Sequence, residues 1–148
     1  MTFVLAPCAG KVEQLADVPD PVFAQEMVGP GLAIVPVQQE QDVLSPVSGK
    51  ISTLKPHAFV IETDEGQGIL VHLGIDTVNL KGEGFTIHAE AEQTVQAGDK
   101  LITWNPAEIE KQGLSSVIPV IALESNKEDI VPTSELSVNA GDELYTIQ

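Results

Sequence analysis

Apolar residues along this chain fall into short runs, and Gly, Pro, Asp and Asn stand between the runs. Residues 57–61 and 69–72 are two such runs, rich in Val, Ile, Phe and Leu and separated by the turn-forming stretch 63–66. Short runs of strand-forming residues bounded by turn residues predict β-strands. We therefore expect an all-β protein of antiparallel strands.

Two patterns occur twice in the chain. Residues 6–10 (APCAG) resemble residues 45–49 (SPVSG), and each stretch lies between two candidate strands. Residues 94–101 (TVQAGDKL) resemble residues 137–144 (SVNAGDEL), where a turn at Ala-Gly-Asp leads into an alternating strand. These repeats predict internal duplication and a pseudo-symmetric β-sandwich formed by residues 1–148 as one domain.

Two stretches are typical of very short helices. In residues 20–27, Asp20 is a candidate N-cap and Pro21 the first helical residue. Residues 105–111 repeat this pattern and end before Gly113. Helices of this length are unstable alone, so both must pack on the sheet. Residues 127–129 are expected to form a solvated loop.

Composition and charge narrow the classes of partner. With 22 acidic residues, 7 lysines and no arginine, the formal net charge is −15. Such a surface repels nucleic acid and anionic lipid, and it favours a basic protein partner. The single Cys8 cannot form an intramolecular disulfide, which fits a cytoplasmic protein, and a small buried hydrophobic role is expected for it. No signal peptide or membrane span is visible, so we expect no membrane anchor.

His57 and His72 are the candidate chemical groups. If residues 64–66 form a turn, the two histidines lie on either side of it at similar separation, and their rings would meet on one sheet face. Such a pair could bind a metal with a third ligand, perform acid-base chemistry, or provide a nucleophile whose neighbour stabilises the transferred group. Ordinary core or surface histidines are the remaining alternative.

The residues after His72 are glycine-rich without being of low complexity. Residues 71–85 (VHLGIDTVNLKGEGF) closely resemble the signature of the glucose-type enzyme IIA family of the bacterial phosphoenolpyruvate-dependent sugar phosphotransferase system. Residues 18–34, 45–51 and 95–102 also resemble segments of that family. The resemblance implies an antiparallel β-sandwich with a barrel-like, duplicated core.

The resemblance also implies a role for each site residue. His72 would carry a phosphoryl group on Nε2, and His57 would stabilise the phosphate. Nucleophilic attack needs a lone pair on Nε2, so the proton must lie on Nδ1, and the Gly74 carbonyl is expected to accept it. No cofactor is expected, and zinc could bind only in a complex whose partner completes the site.

The partners implied by the resemblance are the phosphocarrier HPr, a sugar-specific enzyme IIB or IIBC for glucose or N-acetylglucosamine, and regulated metabolic proteins. A mainly regulatory binding protein is the alternative function. The expected apolar ring for docking, whose members could instead fill the core, comprises Phe23, Met27, Val28, Leu70 and Val78. Asp20 and Asp76 match carboxylates that pair with a basic residue of HPr.

One position departs from the family pattern. Many members have a threonine two residues before the first histidine, where this chain has Lys55 followed by Pro56. The group that orients His57 is therefore open. Lys55 could add positive charge near the phosphate, although exposure to solvent is the default for lysine.

Overall fold

The structure is a computed structural model that describes residues 1–148. Its strands are β1 (Thr2–Leu5), β2 (Gly10–Glu13), β3 (Gly31–Pro36), β4 (Gln41–Leu44), β5 (Gly49–Lys55), β6 (Ala58–Glu62), β7 (Gly68–His72), β8 (Phe85–Ile87), β9 (Thr94–Val95), β10 (Lys100–Trp104), β11 (Ile118–Ala122), β12 (Ile130–Pro132), β13 (Ser137–Val138) and β14 (Glu143–Ile147). The α-helices are α1 (Pro21–Ala24) and α2 (Pro106–Lys111), and single 3-10 turns span Leu15–Asp17, Thr77–Leu80 and Lys127–Asp129.

The strands form three sheets. An eight-stranded sheet has the order β13-β2-β3-β11-β7-β6-β5-β9, and two three-stranded sheets have the orders β1-β14-β12 and β4-β10-β8. Every strand pair is antiparallel. The predicted all-β, antiparallel fold class is confirmed.

The two repeated sequence patterns occupy equivalent places in the sheets. Gly10 of β2 lies opposite Val138 of β13, and Gly49 of β5 lies opposite Val95 of β9. β1 likewise pairs with β14 as β4 pairs with β10. Two equivalent hydrogen bonds connect each of the two repeated patterns, at residues 6–10 and 45–49, to the strand before the other pattern. In one, Leu5 N–H donates to the Pro46 carbonyl, and in the other, Leu44 N–H donates to the Pro7 carbonyl, both at 2.9 Å.

The buried core is mainly aliphatic, as expected from the low aromatic content, and includes a few large aromatic side chains. One cluster contains 25 buried residues, among them Phe59, Trp104 and Tyr145. Cys8 is fully buried in this cluster. Burial raises the pKa of the Cys8 thiol to about 12, so the residue stays protonated and behaves as the expected small hydrophobe.

A second, smaller cluster lies under the candidate site. It contains seven buried residues, which come from the segment before α1, from α1, β3 and β11, and from the loops after β7 and before β11: Leu15, Val18, Phe23, Ala33, Ile75, Val117 and Ile121. This cluster anchors α1 against the eight-stranded sheet.

The two helices begin where the sequence predicts. Asp20 accepts a hydrogen bond from Val22 N–H at 2.9 Å, and Asn105 accepts one from Ala107 N–H at 3.0 Å, each with proline at the first turn. The predicted extent of the first helix, residues 20–27, is wrong, because α1 ends at Ala24. Two residues later Glu26 has a φ of 55°, a left-handed conformation that stops a helix.

The remaining local differences are small. The expected loop at residues 127–129 is a single 3-10 turn rather than an irregular segment. None of its three residues is buried, so the expected exposure to solvent is confirmed. No helix in the structure is long and apolar enough to cross a membrane.

Candidate functional site

The site lies at the end of the β6–β7 hairpin. His72 is the last residue of β7 and is paired with Ala58, the first residue of β6. His57 directly precedes Ala58 and lies in the two-residue connection between β5 and β6. Its carbonyl accepts a hydrogen bond from Leu73 N–H at 2.7 Å. The imidazole centroids are 5.2 Å apart and the rings meet edge to face at 75°. The hairpin thus brings the two predicted histidines together.

The backbone fixes the tautomer of His72. Its Nδ1 atom lies 2.6 Å from the Gly74 carbonyl oxygen. A carbonyl oxygen can only accept, so Nδ1 must donate and therefore carries the proton of the neutral ring. The lone pair is left on Nε2, which makes no hydrogen bond within the chain. His72 is consequently prepared for nucleophilic attack through Nε2.

Glycine is required at position 74 by both conformation and space. Gly74 has a φ of +81°, and a Cβ atom there would lie 2.7 Å from Cγ2 of Thr77 and 2.8 Å from the Ser115 carbonyl oxygen. Thr77 cannot move away freely, because its buried hydroxyl donates to the Leu73 carbonyl at 2.7 Å. The Gly74 carbonyl therefore has a fixed position beside Nδ1 of His72.

The segment before β11 is a part of the site that the sequence does not indicate, whereas Thr77 lies within the recognised stretch 71–85 but has no predicted role. Gly74 N–H donates to the Val117 carbonyl at 3.1 Å, and Ile75 N–H donates to the Ser115 carbonyl at 2.9 Å. The only local signal is the glycine-rich run itself. These bonds join stretches that are distant in sequence, so no nearby pattern predicts them.

The pKa of each histidine is lowered, which favours the neutral form of both rings. Burial lowers the pKa of His72 below its ordinary value, while the Gly74 carbonyl and the charges of Asp20 and Asp76 oppose this effect. Burial also lowers the pKa of His57, and the positive charges of His72, when its ring is protonated, and of Lys55 lower it further. A neutral imidazole keeps a free lone pair, which a phosphoryl acceptor needs.

The residues of the predicted apolar ring differ in exposure. Phe23 is 7% exposed and packs against His72, with ring centroids 5.2 Å apart and planes tilted by 54°. In contrast, Met27 is 67%, Val28 37% and Val78 58% exposed. Leu70 is half-buried on β7. Phe23 therefore supports the His72 ring, and the three exposed residues leave apolar surface in solvent. Their role in docking stays a prediction.

The two predicted docking carboxylates lie close enough to His72 to influence its pKa. Asp20 is half-buried and caps α1, so its oxygen already has an intramolecular partner. Asp76 is exposed and has a φ of 62° at the start of the turn Thr77–Leu80. Its side chain makes no hydrogen bond within the chain, which leaves the carboxylate available. Their pairing with HPr stays a prediction.

Lys55 is exposed at the end of β5. Its charge nevertheless acts on the pKa of His57, so it contributes positive potential beside the histidine pair while remaining in solvent. The His57 ring makes no hydrogen bond within the chain; its position follows from the short connection and from the contact with His72. No group of three or more His, Cys, Asp or Glu residues is placed to hold a metal ion.

His88 lies away from these two histidines. It is exposed on the β4-β10-β8 sheet, where its Nε2 atom lies 2.7 Å from the Thr103 hydroxyl. That hydroxyl donates to Asp42 at 2.7 Å, so His88 Nε2 must be the donor to Thr103. His88 is thus a surface residue with a local hydrogen bond.

The fold and the site together define a class of antiparallel β-proteins with a paired histidine whose Nδ1 is held by a backbone carbonyl and whose Nε2 is free. A profile described as phosphoenolpyruvate-dependent sugar phosphotransferase system, EIIA 1, matches residues 2–128. The chain belongs to this EIIA family and is a phosphotransferase-system component.

Two relatives show how close the similarity is. The glucose-specific EIIA component of Oceanobacillus iheyensis is 42% identical over 137 residues, which cover 91% of this chain and 81% of the relative. The solved structure of glucose permease IIA from Mycoplasma capricolum superimposes with a TM-score of 0.86 at 40% identity, covering 97% of this chain and 93% of the other. The similarity therefore extends over the whole fold.

Proposed function

We propose that this protein is a phosphocarrier that accepts a phosphoryl group from phosphorylated HPr on His72 and passes it to a sugar-specific enzyme IIB. The observation that carries the proposal is the 2.6 Å contact between His72 Nδ1 and the Gly74 carbonyl. This contact leaves Nε2 as the free nucleophile of a neutral ring. Membership of the EIIA family supports the same reaction.

Glucose is the sugar best supported. The relatives in Oceanobacillus iheyensis and Mycoplasma capricolum are named as glucose-specific and glucose permease components. N-acetylglucosamine is the second candidate, because the enzyme IIB and IIC partners select the sugar.

In the first transfer, the nitrogen–phosphorus bond of phospho-HPr breaks as a bond from phosphorus to His72 Nε2 forms. The electron pair of the broken bond returns to the HPr histidine, and the Nδ1 proton of His72 stays in its hydrogen bond to the Gly74 carbonyl. In the second transfer the roles reverse, with the phosphoryl group moving to a nucleophile of enzyme IIB. The chain needs no resident cofactor for either step.

His57 stabilises the phosphoryl group in this proposal. With the ring centroids 5.2 Å apart, an N–H of His57 can reach a phosphoryl oxygen on His72 Nε2. A hydrogen bond to an anionic oxygen is stronger than a neutral one. A neutral histidine still holds the group less tightly than an arginine pair would, which suits a carrier that must release it.

Exposed apolar residues and negative charge together suit a basic partner. Met27, Val28 and Val78 provide exposed apolar area, while Asp20 and Asp76 place negative charge beside the ring. The net charge of −15 adds long-range attraction to a basic protein such as HPr.

Intact mass spectrometry tests the proposal. The protein is incubated with phosphoenolpyruvate, enzyme I and HPr, and we expect a mass gain of one phosphoryl group that disappears when HPr is omitted. His72→Gln should show no gain under the same conditions. Absence of any gain with all three components present would refute the carrier function.

A further inference from the structure

The segment 113–117, here called the strap, connects α2 to β11 and holds the loop that carries Gly74. The strap carbonyls of Ser115 and Val117 accept from Ile75 N–H at 2.9 Å and from Gly74 N–H at 3.1 Å. The N–H groups of Gly74 and Ile75 therefore both point toward the strap. The position of the Gly74 carbonyl, and with it the tautomer of His72, depends on where the strap lies.

A single carboxylate holds the middle of the strap. Oε2 of Glu110 accepts from Ser116 N–H at 2.8 Å and from the Ser116 hydroxyl at 2.7 Å. Gln38 completes the cluster, because its Nε2 atom donates to the same hydroxyl at 3.1 Å. Ser116 is only 1% exposed, so its N–H depends on Glu110 as acceptor.

Two donors of the cluster meet at one carboxylate oxygen. A carboxylate can only accept, so both Ser116 donors point at one anionic oxygen, and hydrogen bonds to ionised groups are stronger than neutral ones. A buried N–H that loses its acceptor is costly, and the strap would have to move to reach water. Glu110 itself is an exposed residue near the end of α2, yet its carboxylate reaches inward.

We propose that Glu110 is a positioning residue for the His72 nucleophile. Acting through Ser116 and the strap, its carboxylate holds the Gly74 carbonyl where it accepts from His72 Nδ1. For its effect on phosphoryl transfer this inference rests on the proposed function, whereas its effect on the His72 tautomer does not. Glu110 touches neither the ring nor the expected phosphoryl position, so it acts only through the backbone.

The test compares the His72 tautomer in wild type, Glu110→Ala and Glu110→Gln by imidazole ¹⁵N NMR at a pH where the ring is neutral. Wild type should carry its proton on Nδ1. Glu110→Ala should shift part of the population to the Nε2–H form. Glu110→Gln should lie between the two, because its amide oxygen can still accept from Ser116, without charge.

A matched control is available on the same helix. Glu108 is also exposed, and its carboxylate pairs only with Lys111 at 3.1 Å. Glu108→Ala removes the same side chain from α2 without touching the strap, and it should leave the tautomer unchanged. If Glu110→Ala does not fold, Glu110→Gln and Ser116→Ala answer the same question. In Ser116→Ala the backbone N–H bond remains, so its effect should be smaller than that of Glu110→Ala.

The second readout is single-turnover phosphorylation by phospho-HPr. We expect Glu110→Ala to react about tenfold more slowly than wild type. This loss of rate is smaller than the loss of about 10²-fold that a 1 Å misplacement can cause. A general loss of stability would not by itself change the tautomer of the folded protein. An unchanged tautomer in every foldable Glu110 variant, or an equal change in Glu108→Ala, would overturn the inference. If wild type is not phosphorylated at all, the proposed function fails, and the NMR comparison still decides the role of Glu110.

Discussion

Replacing Gly74 by alanine tests whether the backbone beside His72 is held as closely as the structure indicates. The new Cβ would lie 2.7 Å from Cγ2 of Thr77 and 2.8 Å from the Ser115 carbonyl oxygen, at a φ of +81°. Neither neighbour can yield easily, because the Thr77 hydroxyl is bonded to Leu73 and the Ser115 carbonyl to Ile75. The loop itself must therefore shift.

Two costs add in this variant. An L-residue in the left-handed region costs about 1–2 kcal/mol, and forcing extra volume into a packed site costs about 1–3 kcal/mol more. We therefore expect a loss of about 2–5 kcal/mol in the free energy of unfolding, or about 5–15 °C in Tm for a domain of this size. The shift also breaks the Nδ1 contact of His72, so phosphorylation by HPr should slow.

Gly66→Ala is the matched control. Gly66 has a φ of +87°, almost the same as Gly74, but no atom lies within 4 Å of the position that a Cβ would take there. It should therefore show only the conformational cost of about 1–2 kcal/mol, with phosphorylation unchanged.

Unfolding can be followed by the fluorescence of Trp104, the single tryptophan, which is 1% exposed. Denaturant titrations of both variants give the difference in free energy directly. If Gly74→Ala is no less stable than Gly66→Ala and accepts a phosphoryl group at the wild-type rate, the close packing that we describe beside His72 is wrong.

Three further predictions concern the reaction. Burial lowers the pKa of His72, so its ring should become protonated only below the ordinary histidine pKa of about 6.5. The rate of phosphorylation by HPr, measured by rapid quench, should therefore stay flat through neutral pH and fall only below that value. A rate that already falls between pH 8 and 7 would contradict this. His57→Gln should still accept a phosphoryl group but pass it to enzyme IIB about 10²-fold more slowly, because a hydrogen-bond donor to the transition state is lost. Transfer at the wild-type rate would show that His57 has no part in the mechanism. In stopped-flow binding to HPr, Asp76→Asn should mainly lower a salt-sensitive association rate. Met27→Ala, which truncates the most exposed residue of the expected apolar ring, should mainly raise the dissociation rate. Association that is independent of ionic strength would exclude electrostatic steering.

The duplicated fold could be predicted because its signals are local. The turn pattern that ends at Gly10 recurs at Gly49, and the pattern before β10 recurs before β14. The two patterns meet in equivalent places, because Gly10 lies opposite Val138 and Gly49 lies opposite Val95. The helix starts were also predictable, since an N-cap followed by proline is encoded in adjacent residues such as Asp20 and Pro21. Local patterns of this kind are sufficient to place strands, turns and caps.

The support of the site could not be predicted from such patterns. The carbonyls of Ser115 and Val117 are backbone groups that any sequence possesses, and only the folded sheet brings them to Gly74 and Ile75. Glu110 likewise resembles an ordinary exposed helix residue until its bonds to Ser116 are seen. The early end of α1 follows from the left-handed conformation of Glu26, which a glutamate does not signal.

The assignment of the nucleophile is tested most directly by locating the phosphoryl group. Wild type, His57→Gln and His72→Gln are labelled through enzyme I and HPr, digested under alkaline conditions that preserve phosphohistidine, and mapped by mass spectrometry. We predict label on His72 alone in wild type and His57→Gln, and none in His72→Gln. Label on His57 in wild type, or label that survives in His72→Gln, would contradict the assignment of the two histidines.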